Sequence, residues 1–245
     1  MTATTDRTWD LPKQPWIMGM TWSELLFAHW PVDPSVLAPL LPQGLSLDIR
    51  EDKAWIGVVP FLMSDVAPRC CPSIPKLSRF LELNVRTYVT YAGKPGVWFF
   101  SLDAASRIAV RCCTSHIQSA IYGRSHVNST KTIQEVSPTG VNETIEVSGQ
   151  QRLTPAIERS VKPPMLCQAR SKHWLTALIA STSADRQGRL YRGEIDHAPW
   201  SLSPASCEER QNTMCTPLGI DLVGRPHLLF AQPIKVHVWM VCCDQ

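Results

Sequence analysis

The sequence predicts a mainly β protein, built as an antiparallel sheet or barrel with a few peripheral helices. FLELNVRTYVTY, Phe80 to Tyr91, alternates apolar and polar residues and has the β-branched and aromatic content of a strand. Tyr91 to Gly96 reads as a turn, and GVWFFSL returns as a second strand, which makes a hairpin. No Gly-x-Gly-x-x-Gly or P-loop run occurs, which speaks against a dinucleotide or nucleotide fold.

In chain order, MTWSELLFAHWPV, Met20 to Val32, is dense in aromatics, and strand and helix both fit its periodicity. Asp33 followed by Pro34 is a good N-cap and first-turn pair, opening a short helix through Leu41 that Pro42 and Gly44 close. LSLDIRED and AWIGVVPFLM read as two strands joined by a tight turn around Asp52 and Lys53. Asp103 reads as the N-cap of a helix in AASRIAVRCC, although its place directly after a strand also permits a cavity role. From about residue 112 to 183 the patterning weakens. It resumes in RLYRGEIDHAPWSL, a strand ending at Pro199. In the last apolar stretch Ile234, Val236, Val238 and Met240 alternate with Lys235, His237 and Trp239.

Composition narrows the functional classes. The chain has 245 residues and 44% hydrophobic content, enough for a sizeable core in one large or two small domains. Its 24 basic and 21 acidic residues give a charge of +3, and no run of Lys and Arg exceeds two, so no nucleic-acid partner is expected. No apolar run has the length of a membrane span, and the start MTATTDRTWD is polar, so a soluble, cytoplasmic protein without a membrane partner is expected. Six of the nine cysteines form adjacent pairs, which suits reduced thiols better than a zinc site. With no CxxC or HExxH spacing, neither a metal nor a cofactor is expected.

LLFAHWPV, AWIGVVPF, FLELNVRTYV, GVWFFSLDAAS, RLYRGEIDHAPW and NTMCTPLGIDL together resemble the YqjF-like family of uncharacterised bacterial proteins, within the acetoacetate-decarboxylase-like superfamily. The resemblance implies a single domain over 1–245, a cone-shaped antiparallel β-barrel with a central cavity and helices packed outside. An inward polar face in such a barrel lines a cavity. Glu82, Asn84, Arg86 and Tyr88 would then project into it, with Arg86 binding a carboxylate or enolate and Glu82 acting as general acid or base. The backbone rise separates Glu82 from Arg86 by about 13 Å at roughly 3.3 Å per residue, so a ligand between them is one reading. A buried ion pair that fixes strand register, or a solvated outer face, are the others.

His29 and His197 read either as proton carriers at the barrel rim or as strand histidines bonded to backbone. Trp22, Trp30, Trp55 and Trp98 read as core or cavity wall, with Trp98 placed among the substrate-binding residues. The superfamily's prototype carries its lysines in a Phe-Pro-Lys-Lys turn, and the YqjF-like family has Leu-Pro-Tyr there. This chain has CCTSHIQSAIY, with neither motif and no lysine between Lys94 and Lys131, so Schiff-base chemistry is disfavoured.

Resemblance stops near Val110 and resumes near Lys172, so the segment of about 112–183 is atypical. Either divergence or a compensated frameshift around Ala177 to Thr182 accounts for it. Three functions follow: an enzyme acting on a small carboxylate or keto compound, a non-catalytic binder of such a ligand, or a damaged product without activity. A homo-oligomer is compatible with each.

Overall fold

A computed structural model describes residues 9–74, 78–104, 180–184, 187–205 and 212–241, with the backbone of short pieces at 145–147, 151–153, 155–156, 208–209 and 242–243. The aromatic-dense segment forms two strands, β1 (Met18–Ser23) and β2 (Leu25–Val32), bent at Glu24 where φ is 49°. Helix α1 (Pro34–Leu37) opens where Asp33 accepts a hydrogen bond of 2.9 Å from the Ser35 amide. It tightens into a 3-10 turn over Ala38–Leu40, so the α-helical part is shorter than the sequence suggests. The expected LSLDIRED strand is also reduced. Only β3 (Ser46–Leu47) forms, and it pairs with Val89 and Thr90 rather than with the strand that follows it.

The fifteen-residue β4 (Ala54–Pro68) precedes the hairpin of β5 (Phe80–Tyr91) and β6 (Lys94–Ala104). Ala92 and Gly93, with φ of 49° and 74°, form the hairpin turn, where two positive φ angles match the strand twist. Asp103 lies inside β6, opposite Leu83, rather than at a helix cap. The helix expected after Ala104 falls outside the described residues. The chain continues through β7 (Ile145–Val147), β8 (Gln151–Leu153), β9 (Pro155–Ala156), β10 (Ala180–Ala184), β11 (Leu190–His197) and β12 (Leu202–Pro204). It ends with β13 (Glu208–Glu209), β14 (His227–Ala231), β15 (Ile234–Val238) and β16 (Cys242–Cys243). Of the atypical segment, Ala180 to Ser183 form a buried strand, and most of the rest lies outside the described residues.

One 12-stranded sheet holds all the major strands. On one edge of β4, β2 pairs with Ala54–Val58 and β1 with Leu62–Pro68, while β5 takes the other edge. Pairings then run from β5 through β6, β10, β11, β15 and β1 back to β4. All are antiparallel except β10 with β6, which is parallel at Ser181–Val97 and Thr182–Trp98. The wholly antiparallel arrangement expected from the sequence is corrected at that pair. No helix among the described residues is long and apolar enough to cross a membrane.

Both faces of the central strands are buried. One face packs Met20, Trp22, Phe27, Val59, Phe61 and Val236 into the largest cluster, and it also carries Tyr88. The opposite face packs Ile56, Val58, Leu83 and Val85 against Leu37 of α1 and against Met214, Cys215 and Ile220. The Leu83 and Val85 side, read from sequence as the apolar face of β5, is therefore covered by α1 and the 212–222 segment. Leu37, with no exposed surface, anchors α1. Leu37→Ala should cost about 2–5 kcal/mol in urea unfolding, the usual range for a buried leucine. Val36→Ala, on the exposed side of the same helix, should change stability by about 0.5 kcal/mol or less.

Candidate functional site

The polar residues of β5 lie on the more aromatic of the two faces. Cross-strand register sets Glu82 beside Phe61 and Ala104, Asn84 beside Val59 and Leu102, and Arg86 beside Gly57 and Phe99. Their exposures are 4%, 3% and 2%, so water does not solvate them as it would on a surface. A bulge between Val85 and Arg86 adds Phe100 to β6 without disturbing the alternation of β5.

Two polar groups form on this face. In the first, Asn84 donates a hydrogen bond to the Glu82 carboxyl, while Glu82 Oε2 and Asn84 Oδ1 meet no donor among the described residues. Burial pushes the Glu82 pKa up to about 8. The Asn84 hydrogen bond opposes that shift and the like charge of Asp103 adds to it. In the second, His29 Nε2 and the Tyr88 hydroxyl share a hydrogen bond of 2.5 Å. Burial raises the Tyr88 pKa, against the charge and hydrogen bond of Arg86. Since a guanidinium only donates, the phenol oxygen accepts from Arg86 and turns its hydrogen toward His29 Nε2.

Arg86 leans toward this second group. Its guanidinium carbon lies 5.2 Å from the Phe27 ring centre and 5.9 Å from that of Tyr88. Among the described residues its Nε and Nη2 have no hydrogen-bond partner. These two nitrogens form one edge of the guanidinium, the fork that receives both oxygens of a carboxylate. No ion pair joins Arg86 to Glu82, so the register-fixing pair considered from sequence is absent.

Aromatic rings join the two groups. Phe27 packs on His29 at 5.9 Å and on Trp200 at 5.4 Å, and Trp200 stacks with Trp22 at 6.2 Å. Trp22 meets Phe61, the cross-strand neighbour of Glu82, at 5.4 Å. His197 lies 4.7 Å from Trp200, and its Nδ1 is 2.7 Å from the Ala198 carbonyl. The structure thus brings Glu82, Asn84, Arg86, Tyr88, His29 and His197 to one face. Trp98 does not join them: it packs with Val89, Ala184 and Leu190 on the other side of β6, because Val97 and Phe99 take the site face. Arg192 and Glu194 are also remote. They form a 2.8 Å ion pair with Trp9 over the guanidinium. Among the described residues no cluster of three metal-ligating side chains exists.

One further residue of the site carries a weak sequence signal. Gly57 stands between His29 and Arg86 in the cross-strand row, where a β-carbon would lie 3.0 Å from the His29 ring and 3.5 Å from Arg86 Cγ. A lone glycine inside AWIGVVPF is the usual sign of such a close approach. Phe27 and Trp200 gave no signal beyond their apolar character.

The profile of the DUF2071 family, described as an uncharacterized conserved protein, matches residues 19–235. The chain belongs to the DUF2071 family. It is 36% identical over 231 residues to "Uncharacterized protein YqjF" of Bacillus subtilis (strain 168), covering 94% of this chain and 93% of that protein. An acetoacetate decarboxylase-like enzyme from Sphingomonas wittichii RW1 shares the fold with a TM-score of 0.57 at 12% identity, covering 100% of both chains. The enduracididine biosynthesis enzyme MppR complexed with pyruvate has a TM-score of 0.57 at 11% identity, covering 97% of this chain and 92% of its own. Acetoacetate decarboxylase from Legionella pneumophila has a TM-score of 0.52 at 10% identity, covering 100% and 98%. These structural neighbours establish a decarboxylase-like fold for this DUF2071 chain, and at such identities they carry no more than the fold.

The geometry sets two expectations. A raised carboxyl pKa means that the folded chain holds its proton more tightly than the unfolded chain. Stability is therefore highest below the ordinary carboxylate range and falls as pH rises through the window from about 4.5 to about 8, by up to about 1.4 kcal/mol per pH unit. Glu82→Gln should flatten that part of the profile in urea unfolding. Gly57→Ala should push a methyl into the His29 ring and lower stability by about 1–3 kcal/mol, which the same unfolding measurement checks.

Proposed function

We propose that this chain binds a small carboxylate or keto compound inside a closed β-barrel formed by a single domain, and that Glu82 exchanges a proton with it. The observation that carries the reading is the open Nε–Nη2 edge of Arg86, a permanent cation buried beneath Phe27 with no carboxylate partner among the described residues. Leaving two guanidinium N–H groups unpaired in a dry site is costly, and a bidentate anion removes that cost. The closed circuit of strand pairings supports a barrel around this face. MppR, a neighbour in fold, is described in complex with pyruvate, a carboxylate of the expected size.

Arg86 would hold the carboxylate and Phe27 would pack on the guanidinium. Tyr88 and His29 would keep Arg86 in place. Glu82, carrying its proton near neutrality, can donate to a carbonyl or enolate oxygen and take the proton back. Among the described residues, Lys13, Lys53 and Lys235 are exposed and Lys94 is only part-buried, so none has the desolvated setting of an imine-forming amine. This favours acid–base chemistry over a Schiff base. It also makes binding without turnover the second reading.

Thermal-shift titration with pyruvate, acetoacetate and short fatty acids should raise the melting temperature. Arg86→Lys, which keeps the charge but loses the fork, should weaken binding about 10- to 100-fold. Following the same mixtures by proton NMR separates an enzyme from a binder, since only an enzyme changes the ligand. No stabilisation by any carboxylate would overturn the assignment.

A further inference from the structure

The hydrogen-bonding inventory beside Arg86 restricts the ligand beyond its charge. Asn84 uses its amide N–H on Glu82, which turns its Oδ1 away as a bare acceptor. That oxygen is buried, and its cross-strand neighbours Val59 and Leu102 have no side-chain donor to offer. An unpaired buried acceptor costs free energy until a donor reaches it. A simple oxo acid cannot supply one, because its carboxylate and carbonyl oxygens only accept, and a Glu82 proton turned onto Asn84 would be lost to the ligand oxygen that the acid–base role requires.

We propose that the ligand is a hydroxy acid, with its carboxylate on the Nε–Nη2 edge of Arg86 and its hydroxyl donating to Asn84 Oδ1. The inference rests on the anion-site reading above and specifies the chemical class that site takes. An ammonium group would also donate, but it would add a second positive charge near Arg86. Glu82, held neutral by burial, offers no counter-charge near neutral pH. A hydroxyl meets the acceptor at no such cost. Trp22 Nε1, also buried and without a partner in the same aromatic cluster, adds one more donor for a ligand oxygen.

Isothermal titration at neutral pH with butyrate, 2-oxobutyrate, acetoacetate and the 2-, 3- and 4-hydroxybutyrates tests this, since these acids share one carbon chain and differ in one oxygen function. At least one hydroxy isomer should bind about tenfold tighter than butyrate and both oxo acids. Asn84→Ala should abolish that advantage, so that on this variant the hydroxy isomers bind no tighter than butyrate measured on the same variant. If the oxo acids bind as tightly as every hydroxy isomer while Arg86→Lys still weakens them all, the anion site stands and the hydroxy-acid assignment falls. A hydroxy-acid preference that survives Asn84→Ala likewise removes Asn84 from the assignment. If no acid binds, both readings fail together.

Discussion

The ladder between β4 and β5, from Ile56–Thr87 to Met63–Phe80, decides what each face of the molecule carries. A slip of one residue would exchange the faces, sending Glu82, Asn84 and Arg86 under α1 and bringing Leu83 and Val85 among the aromatics. Apolar packing on both sides holds the register, with Ile56 and Val58 against the helix side and Val59 and Phe61 against the rings. Because β4 is long enough to pair with β2 and β1 on one edge and β5 on the other, the same strand also joins the two ends of the pairing circuit. Gly57 sits within this ladder, and its missing side chain is what lets His29 and Arg86 approach Tyr88 together.

Burying a carboxyl and a guanidinium on one strand without pairing them is energetically unusual. The structure deals with the two groups differently. Glu82 lowers its cost by holding its proton, which desolvation favours. Arg86 cannot lose its charge, so it is partly stabilised by the faces of Phe27 and Tyr88 and by the Tyr88 oxygen. What remains unsatisfied on this face among the described residues is directional, and includes one guanidinium edge, one amide oxygen, one carboxyl oxygen and the Trp22 indole N–H. Buried groups left open in this way call for a partner, water or ligand.

The fold neighbours show how far architecture can persist at low sequence identity. Decarboxylase-like proteins at 10–12% identity share the fold over nearly the whole chain. A strand framework constrains spacing and burial, and the fold by itself does not set a function.

The sequence alone determined what depends on near neighbours. Alternation in FLELNVRTYVTY placed Glu82, Asn84, Arg86 and Tyr88 on one face, since successive residues of a strand must point oppositely. The turn read between Tyr91 and Gly96 made the hairpin, closing at Ala92 and Gly93 with positive φ, and Asp33 capped α1 because its carboxylate reaches the amide two residues on. Tertiary structure decided everything that depends on which strands meet. It paired β3 with β5, ran β10 parallel to β6 and kept Asp103 in the sheet. It also sent Trp98 away from the site and left Arg86 without Glu82. Such outcomes are set by contacts between residues remote in the chain, where register and packing select one partner among many of equal local propensity.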